Sequence, residues 1–216
     1  MNRMVRRWRT WKHSRKFAKV GKGCRFPHQF LEVDGHVELG DYCRFRNNVI
    51  LRTHQDGKIV FGNRSGASYY VYLEATSLIQ IGDFTGIAEF TVIRDTNHMV
   101  YGTEEHWRYT PIITKPVIIG NGCFIGSRCY IMPGVTIGDG AVIEAGSLVT
   151  KDVGSYEIWA GYPARKIAHR TKGVPETKMR LFKQLMGEHG MRADRYRDSS
   201  RETIGSDDDE IAAPGD

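Results

Sequence analysis

VIIGNGCFIGSRCYIMPGVTIGDGAVIEAGSLVTKDV, residues 117–153, decides the fold. Ile119, Ile125, Ile131, Ile137, Ile143 and Val149 fall six residues apart. Glycine follows Ile119, Ile125 and Ile137. A helix turns ~100° per residue, so steps of six spread these side chains over three sides. A strand accepts the period, because six is a multiple of two. Glycine and polar residues interrupt every sixth position, which excludes long flat strands. The pattern predicts a short strand, a corner, and another short strand. Three such faces close a coil of about 18 residues.

The period extends upstream. It is carried by Val33, Leu39, Phe45 and Leu51, by Phe61, Ala67, Leu73 and Ile79, and by Ile81, Ile87 and Ile93. Slips of a few residues separate these blocks. Stacked coils then bury Ile81 under Ile119 under Ile137, in a ladder spaced by ~4.8 Å. A β-sandwich with evenly spaced strands fits less well. Its turns recur every ~8–12 residues and its strands alternate more cleanly. The expected fold is an all-β core, a parallel β-helix of triangular section.

Composition and charge narrow the rest. The chain has 216 residues, 40% apolar and 26% charged, enough for one domain with tails. Its 24 glycines suit a scaffold of tight turns. No apolar run approaches the ~18 residues that cross a bilayer, and no apolar segment follows the basic start to make a signal peptide. Cys24, Cys43, Cys123 and Cys129 show no metal-ligand spacing. Neither a disulfide scaffold nor a structural zinc site is expected, and a reducing cytoplasm fits. The net charge is +6, but residues 1–25 hold ten Lys and Arg and no acid. The remainder has 21 basic against 25 acidic residues, a net of −4. The folded body therefore lacks the basic patch of a nucleic-acid binder, and no nucleic-acid partner is expected.

Residues 1–19 read as a basic amphipathic helix, with Met4, Trp8, Trp11 and Ala18 near one side. Ten cations within residues 1–25, with two tryptophans, make the arm a candidate for peripheral contact with an anionic membrane; a solvated helix or one packed on another subunit is the plainer alternative. Residues 20–170 form the β-helix domain. Residues 171–192 are expected to be a helix, started by Pro175 and striped by Met179, Phe182, Leu185 and Met186. Residues 193–216 read as a flexible acidic tail.

The stretch 117–153, followed by AGYPARKI at 160–167, resembles the hexapeptide-repeat acyltransferases, most of all the galactoside, maltose and polysaccharide O-acetyltransferase group. The resemblance covers roughly residues 20–170. It implies a left-handed β-helix, a homotrimer and acetyl-CoA as acyl donor. It also directs attention to one interruption. Ile93 and Ile119 lie 26 residues apart, so about 20 residues within 98–117 leave the coil. In the resembled group a histidine before that loop is the general base, and His98 of IGDFTGIAEFTVIRDTNH matches it. Neutral imidazole, with an ordinary pKa of ~6.5, can take a hydroxyl proton at cellular pH. An isolated histidine here would be read as closing a turn, since Asp, Thr and Asn precede it, but the repeat, the loop and the motif together favour catalysis. Asp95 is a candidate to orient it, with an Asx-turn as the alternative. His106, inside the loop, is read as a surface or acceptor-contacting residue.

The resemblance also implies donor contacts. Pantetheine would meet the backbone at Gly126 and Ser127. Phosphates would meet Thr150 and Lys151, and Arg165 and Lys166 of the AGYPARK turn, as cations near anions should. Two acceptor positions depart from the group's pattern, with Phe124 in place of an indole and Ser68 in place of an asparagine. The expected function is transfer of acetyl to a sugar hydroxyl in cell-surface polysaccharide synthesis, in the cytoplasm or at the inner face of the membrane. An N-acyltransferase on an amino sugar would use the same donor and base. A zinc carbonic anhydrase of the same fold needs three converging histidines, and only His98 and His106 lie close, so no metal is expected. A non-enzymatic scaffold leaves DTNH and the long loop unexplained.

Overall fold

The computed structural model describes residues 12–27 and 30–172, with Glu176 and Arg180 beyond them. Three sheets wind along it. Face A stacks Lys19–Val20, His36–Leu39, Lys58–Phe61, Leu78–Ile81, Val117–Ile119 and Thr136–Ile137. Face B stacks Arg44–Phe45, Gly66–Ala67, Gly86–Ile87, Phe124–Ile125 and Val142–Ile143, then closes on Glu157–Gly161 and Ala164–His169. Face C stacks Leu31–Asp34, Val49–Thr53, Tyr72–Ala75, Val92–Arg94, Tyr130–Ile131 and Leu148–Val149. The chain visits A, B and C in turn, and neighbouring strands are parallel until the last hairpin of face B. This is the β-helix that the period of six requires.

The ladder is as the spacing demands. Ile81, Ile119 and Ile137 are in register on face A. Ile87, Ile125 and Ile143 are in register on face B, and Ile93, Ile131 and Val149 on face C. All nine are buried. Ile79 differs from the sequence reading. It registers with Ile59 and Val117, while Ile81 takes the place above Phe61. Both alternate residues of the longer face A strands point inward, so a second column lies beside the first.

Corners explain the glycines and cysteines. At the A–B corner the backbone N–H of Asp41 donates to Asn63 Oδ1 at 2.9 Å, that of Asn63 to Asp83 at 2.7 Å, that of Asp83 to Asn121 at 2.8 Å, and that of Asn121 to Asp139 at 2.7 Å. The Asn or Asp after each corner glycine thus satisfies the coil before it. The glycine must be bare, because a Cβ on Gly138 would stand 2.6 Å from the Ser155 nitrogen. Behind it, a small polar side chain donates to the glycine carbonyl of the next coil: Cys43 to Gly62 at 3.1 Å, Ser65 to Gly82 at 2.5 Å, Thr85 to Gly120 at 2.7 Å and Cys123 to Gly138 at 3.2 Å. All four cysteines are buried and free. Burial pushes the Cys123 and Cys129 thiols up, so they remain protonated donors.

The first coil is plugged by aromatic rings. Phe26 stacks on Phe45 at 6.2 Å, Phe17 lies 5.3 Å from Phe26, and Phe45 meets Phe61 edge-on at 5.1 Å. They cover the open end of the core. Residues 1–11 of the expected N-terminal helix, with Trp8 and Trp11, lie outside the described residues. Of the rest, only Lys12–Ser14 is helical; the chain then turns, buries Phe17 and enters face A at Lys19. The expected helix is therefore absent over 15–19, where the chain turns and the β-helix core takes Phe17, leaving Ala18 exposed. Of the expected C-terminal helix, Glu176 and Arg180 are helical and 3.9 Å apart as an ion pair. The remainder, and the tail, lie outside the described residues.

The slips in the period share one place. Leu51 to Phe61 spans ten residues, Leu73 to Ile81 eight, and Ile93 to Ile119 twenty-six, where six would suffice. Each excess falls between face C and face A. The C–A edge is therefore the edge on which this scaffold carries its insertions.

Candidate active site

The long insertion is a hairpin. Thr96–His98 pairs antiparallel with Ile112–Thr114, placing His98 opposite Ile112. Trp107–Tyr109 forms a 3₁₀ turn in the connecting loop. His98 donates its backbone N–H to Asn97 Oδ1 at 2.9 Å. Its ring meets the Trp107 ring edge-on, with centroids 5.3 Å apart and planes at 86°. Its Nδ1 is buried without a hydrogen-bond partner among the described residues. His98 lines a cavity of about 370 Å³ with Tyr101, Lys115, Met132, Pro133 and Thr150. These residues come from three successive rungs of the C–A edge, since Met132 follows Ile131 and Thr150 follows Val149.

Asp95 does not orient His98. It is fully buried, and its carboxylate accepts the N–H groups of Thr76 at 2.9 Å, Ser77 at 2.6 Å and Leu78 at 2.8 Å, and the Thr96 hydroxyl at 2.7 Å. The two-residue slip before Ile81 leaves those N–H groups without ladder partners. Asp95, one coil above, satisfies them. His106 is exposed. Its Nδ1 accepts the Arg108 N–H at 3.3 Å, capping the 3₁₀ turn, and its ring stacks on Trp107 at 5.7 Å. It does not line the cavity.

The implied donor residues divide between two edges. Thr150 shares the His98 cavity, with Lys151 exposed beside it on the C–A edge. Gly126 and Ser127 sit on the B–C edge, in a second cavity's neighbourhood. That cavity, of about 420 Å³, is lined by Glu89, Phe90, Ser127, Arg128, Ala145 and Gly146. Ser127 Oγ donates to Glu89 Oε1 at 2.7 Å. Gly126 is buried, and a Cβ there would lie 2.6 Å from the Ala145 nitrogen, so coil stacking alone accounts for its glycine. Met132 follows Ser127 by five positions across face C, which sets an upper limit of about 16 Å on their separation along the chain. Ser68 lies on the B–C edge two rungs before Gly126, its N–H donated to the Ile87 carbonyl. Phe124 projects from face B and is half exposed. Neither Ser68 nor Phe124 lines either cavity.

The C-terminal hairpin holds the last two. Arg165 donates to the carbonyl of Ala164 at 2.8 Å. Lys166 Nζ lies 2.6 Å from Glu157 Oε1, while Trp159 Nε1 donates to Glu157 Oε2 at 2.8 Å. These bonds hold the Glu157 carboxyl down at about 2, Lys166 contributing most. Glu157 thus supports the hairpin above the ordinary carboxylate range, and that support is lost as pH falls from about 4.5 through about 2. Lys166→Ala should move this loss to higher pH, read as an earlier acid transition in hairpin hydrogen exchange. An unchanged transition would dismiss the pair as a source of stability.

Sequence reading overlooked Lys115, Tyr101, Met132, Glu89 and Arg128. Met132-Pro133 had a signal, as the apolar and proline break after a ladder isoleucine. The others become visible only once the rungs are stacked. Among the described residues no group of three His, Cys, Asp or Glu side chains is placed to hold a metal ion.

Residues 116–151 match the family model for the hexapeptide repeat of succinyl-transferase. Galactoside O-acetyltransferase of Escherichia coli (strain K12) is 39% identical over 106 residues, 47% of this chain and 51% of that enzyme. The chain thus spans about half the length of that curated relative. The putative lipopolysaccharide biosynthesis O-acetyl transferase WbbJ of the same strain is 28% identical over 171 residues, 74% of this chain and 86% of the relative. A galactoside acetyltransferase structure in complex with coenzyme A superposes with a TM-score of 0.54 at 28% identity, covering 79% of this chain and 74% of that one. The matched repeat over residues 116–151, the isoleucine ladder and these relatives together make the chain similar to the galactoside and polysaccharide O-acetyltransferases.

Proposed function

We propose that the protein transfers an acetyl group from acetyl-CoA to a sugar hydroxyl in cell-surface polysaccharide synthesis, with His98 as general base. The observation that carries this is the seat of His98 in the C–A edge cavity, at the base of the single long insertion and beside Thr150. Imidazole takes the acceptor hydroxyl's proton as its oxygen attacks the thioester carbonyl carbon. The tetrahedral intermediate collapses by breaking the carbon–sulfur bond, and the imidazolium returns the proton to the thiolate. Backbone N–H groups can stabilise the oxyanion. The relative named for lipopolysaccharide synthesis supports a saccharide acceptor. A screen of saccharide and amino-sugar acceptors with acetyl-CoA, reading free thiol, tests the reading. Release only with amino sugars would replace the O-acetyl reading by N-acyl transfer, and no release with any acceptor would reject both.

Assembly is part of the proposal. Ser127 lies on the B–C edge and His98 on the C–A edge of one chain, with face C between them. A donor held along Ser127 meets a His98 most directly when the B–C edge of one copy faces the C–A edge of another. A closed ring of three copies satisfies every edge in this way. Light scattering at micromolar concentration should give a trimer's mass, and a monomer that retains turnover would refute shared sites. No described helix is long and apolar enough to cross a membrane.

A further inference from the structure

The B–C edge carries a column of corner residues in the left-handed conformation: Tyr70 (φ 58°), Phe90 (φ 60°), Arg128 (φ 56°) and Gly146 (φ 74°). Each stands one rung, about 4.8 Å, above the last. Tyr70 and Phe90 are stacked at 5.0 Å with planes 3° apart, and Arg128 Cζ lies 5.6 Å from the Phe90 centroid. The next rung is vacant. Gly146 has no side chain, and nothing lies within 4 Å of where its Cβ would stand. The cavity of about 420 Å³ opens at this place.

The other edge supplies the contrast. At the A–B corner Arg64 occupies the same kind of position, with its Cζ 4.8 Å from the Tyr42 centroid and 5.8 Å from that of Phe84. That guanidinium is covered on both faces. Arg128 has an aromatic ring on one face and an empty rung on the other.

From this we infer that Arg128 and the vacancy at Gly146 form a stacking slot for a planar, delocalised group of the acyl-CoA donor. The slot rests on the donor reading above, and it adjoins Ser127 directly. A guanidinium plane attracts flat π-systems, whether an amide or a nucleobase. Glu89 lines the same cavity, and hydrogen bonds from its own backbone N–H and from Ser127, with the charge of Arg128, hold its carboxyl below the ordinary range. An ionised carboxylate here disfavours a bare phosphate. It suits a neutral plane with N–H groups to donate, as in pantetheine's amides and adenine's amino group.

Calorimetry on the full chain tests the slot with three probes: coenzyme A, pantetheine and adenosine 3′,5′-bisphosphate. Arg128→Asn removes the plane while keeping a residue that accepts positive φ. Arg128→Lys keeps the charge but not the plane. Gly146→Asn fills the vacant rung. Each should weaken coenzyme A binding about 3- to 30-fold, the range of a guanidinium stacked on a π-system. Arg128 and Gly146 lie at exposed corners, so thermal unfolding should be unchanged. Loss confined to pantetheine assigns an amide plane to the slot, and loss confined to the bisphosphate assigns the base. Wild-type binding of coenzyme A with all three variants equal to it would overturn the slot and leave the donor reading standing. Failure of the wild type to bind any probe would overturn both.

Discussion

Asp95→Ala should unfold in urea with roughly 3–5 kcal/mol less stability than wild type, because three partly buried N–H groups lose their acceptor at once. The carboxylate that now accepts from Thr76, Ser77 and Leu78 is fully buried. Alanine offers no acceptor in its place, and each orphaned donor costs about 1–3 kcal/mol, toward the lower end here because the three residues are only partly buried. Asp95→Asn keeps one carbonyl oxygen but sets an NH₂ against backbone donors, so it should fall between alanine and wild type. Activity per folded molecule should survive in Asp95→Asn at low temperature, since Asp95 makes no hydrogen bond to His98. Denaturation followed by circular dichroism, with turnover measured on the folded fraction, separates the two roles. Wild-type stability with lost turnover would restore the catalytic reading of Asp95.

His98→Ala should lower turnover by ~10²–10⁴-fold, the usual contribution of a positioned general base. Stability should change little, because His98 sits on a hairpin outside the ladder and its ring contact, Trp107, belongs to the same insertion. Donor affinity should survive, since the donor contacts proposed at Ser127 and Arg128 lie on another edge. Substituting His106 should be milder. Its side chain caps the 3₁₀ turn rather than lining the cavity, so the effect should fall on acceptor KM through loop position. A loss of turnover after His106→Ala equal to that after His98→Ala would shift the base to the loop.

Legibility followed the physics of each feature. The ladder of Ile81, Ile119 and Ile137 was readable because a closed coil imposes its period on sequence directly. The 26-residue gap before Ile119 was readable for the same reason, and with it the place of His98. The shape inside the gap was not, because the pairing of Thr96–His98 with Ile112–Thr114 depends on long-range contacts with no periodic signature. Asp95 was misread because its partners lie 17 to 19 residues upstream, at a slip whose unpaired N–H groups only stacking reveals. The N-terminal arm showed a similar limit. Ala18 fits a helical face in sequence, yet the chain turns before it, and the open end of the coil takes Phe17 as its apolar plug. Gly126 and Ser127 were implied as donor contacts on the same footing as Thr150, although a two-edge division is plain once faces B and C are laid out. For Lys166, the ion pair with Glu157 supplies a structural use that its place in a basic turn conceals.

The most direct test of acetyl transfer through His98 is single-turnover thiol release from acetyl-CoA with a responding saccharide, measured in wild type and His98→Ala. The variant should be ~10²–10⁴-fold slower, while binding coenzyme A as wild type does. A folded His98→Ala protein that binds coenzyme A and keeps the wild-type rate would contradict the mechanism.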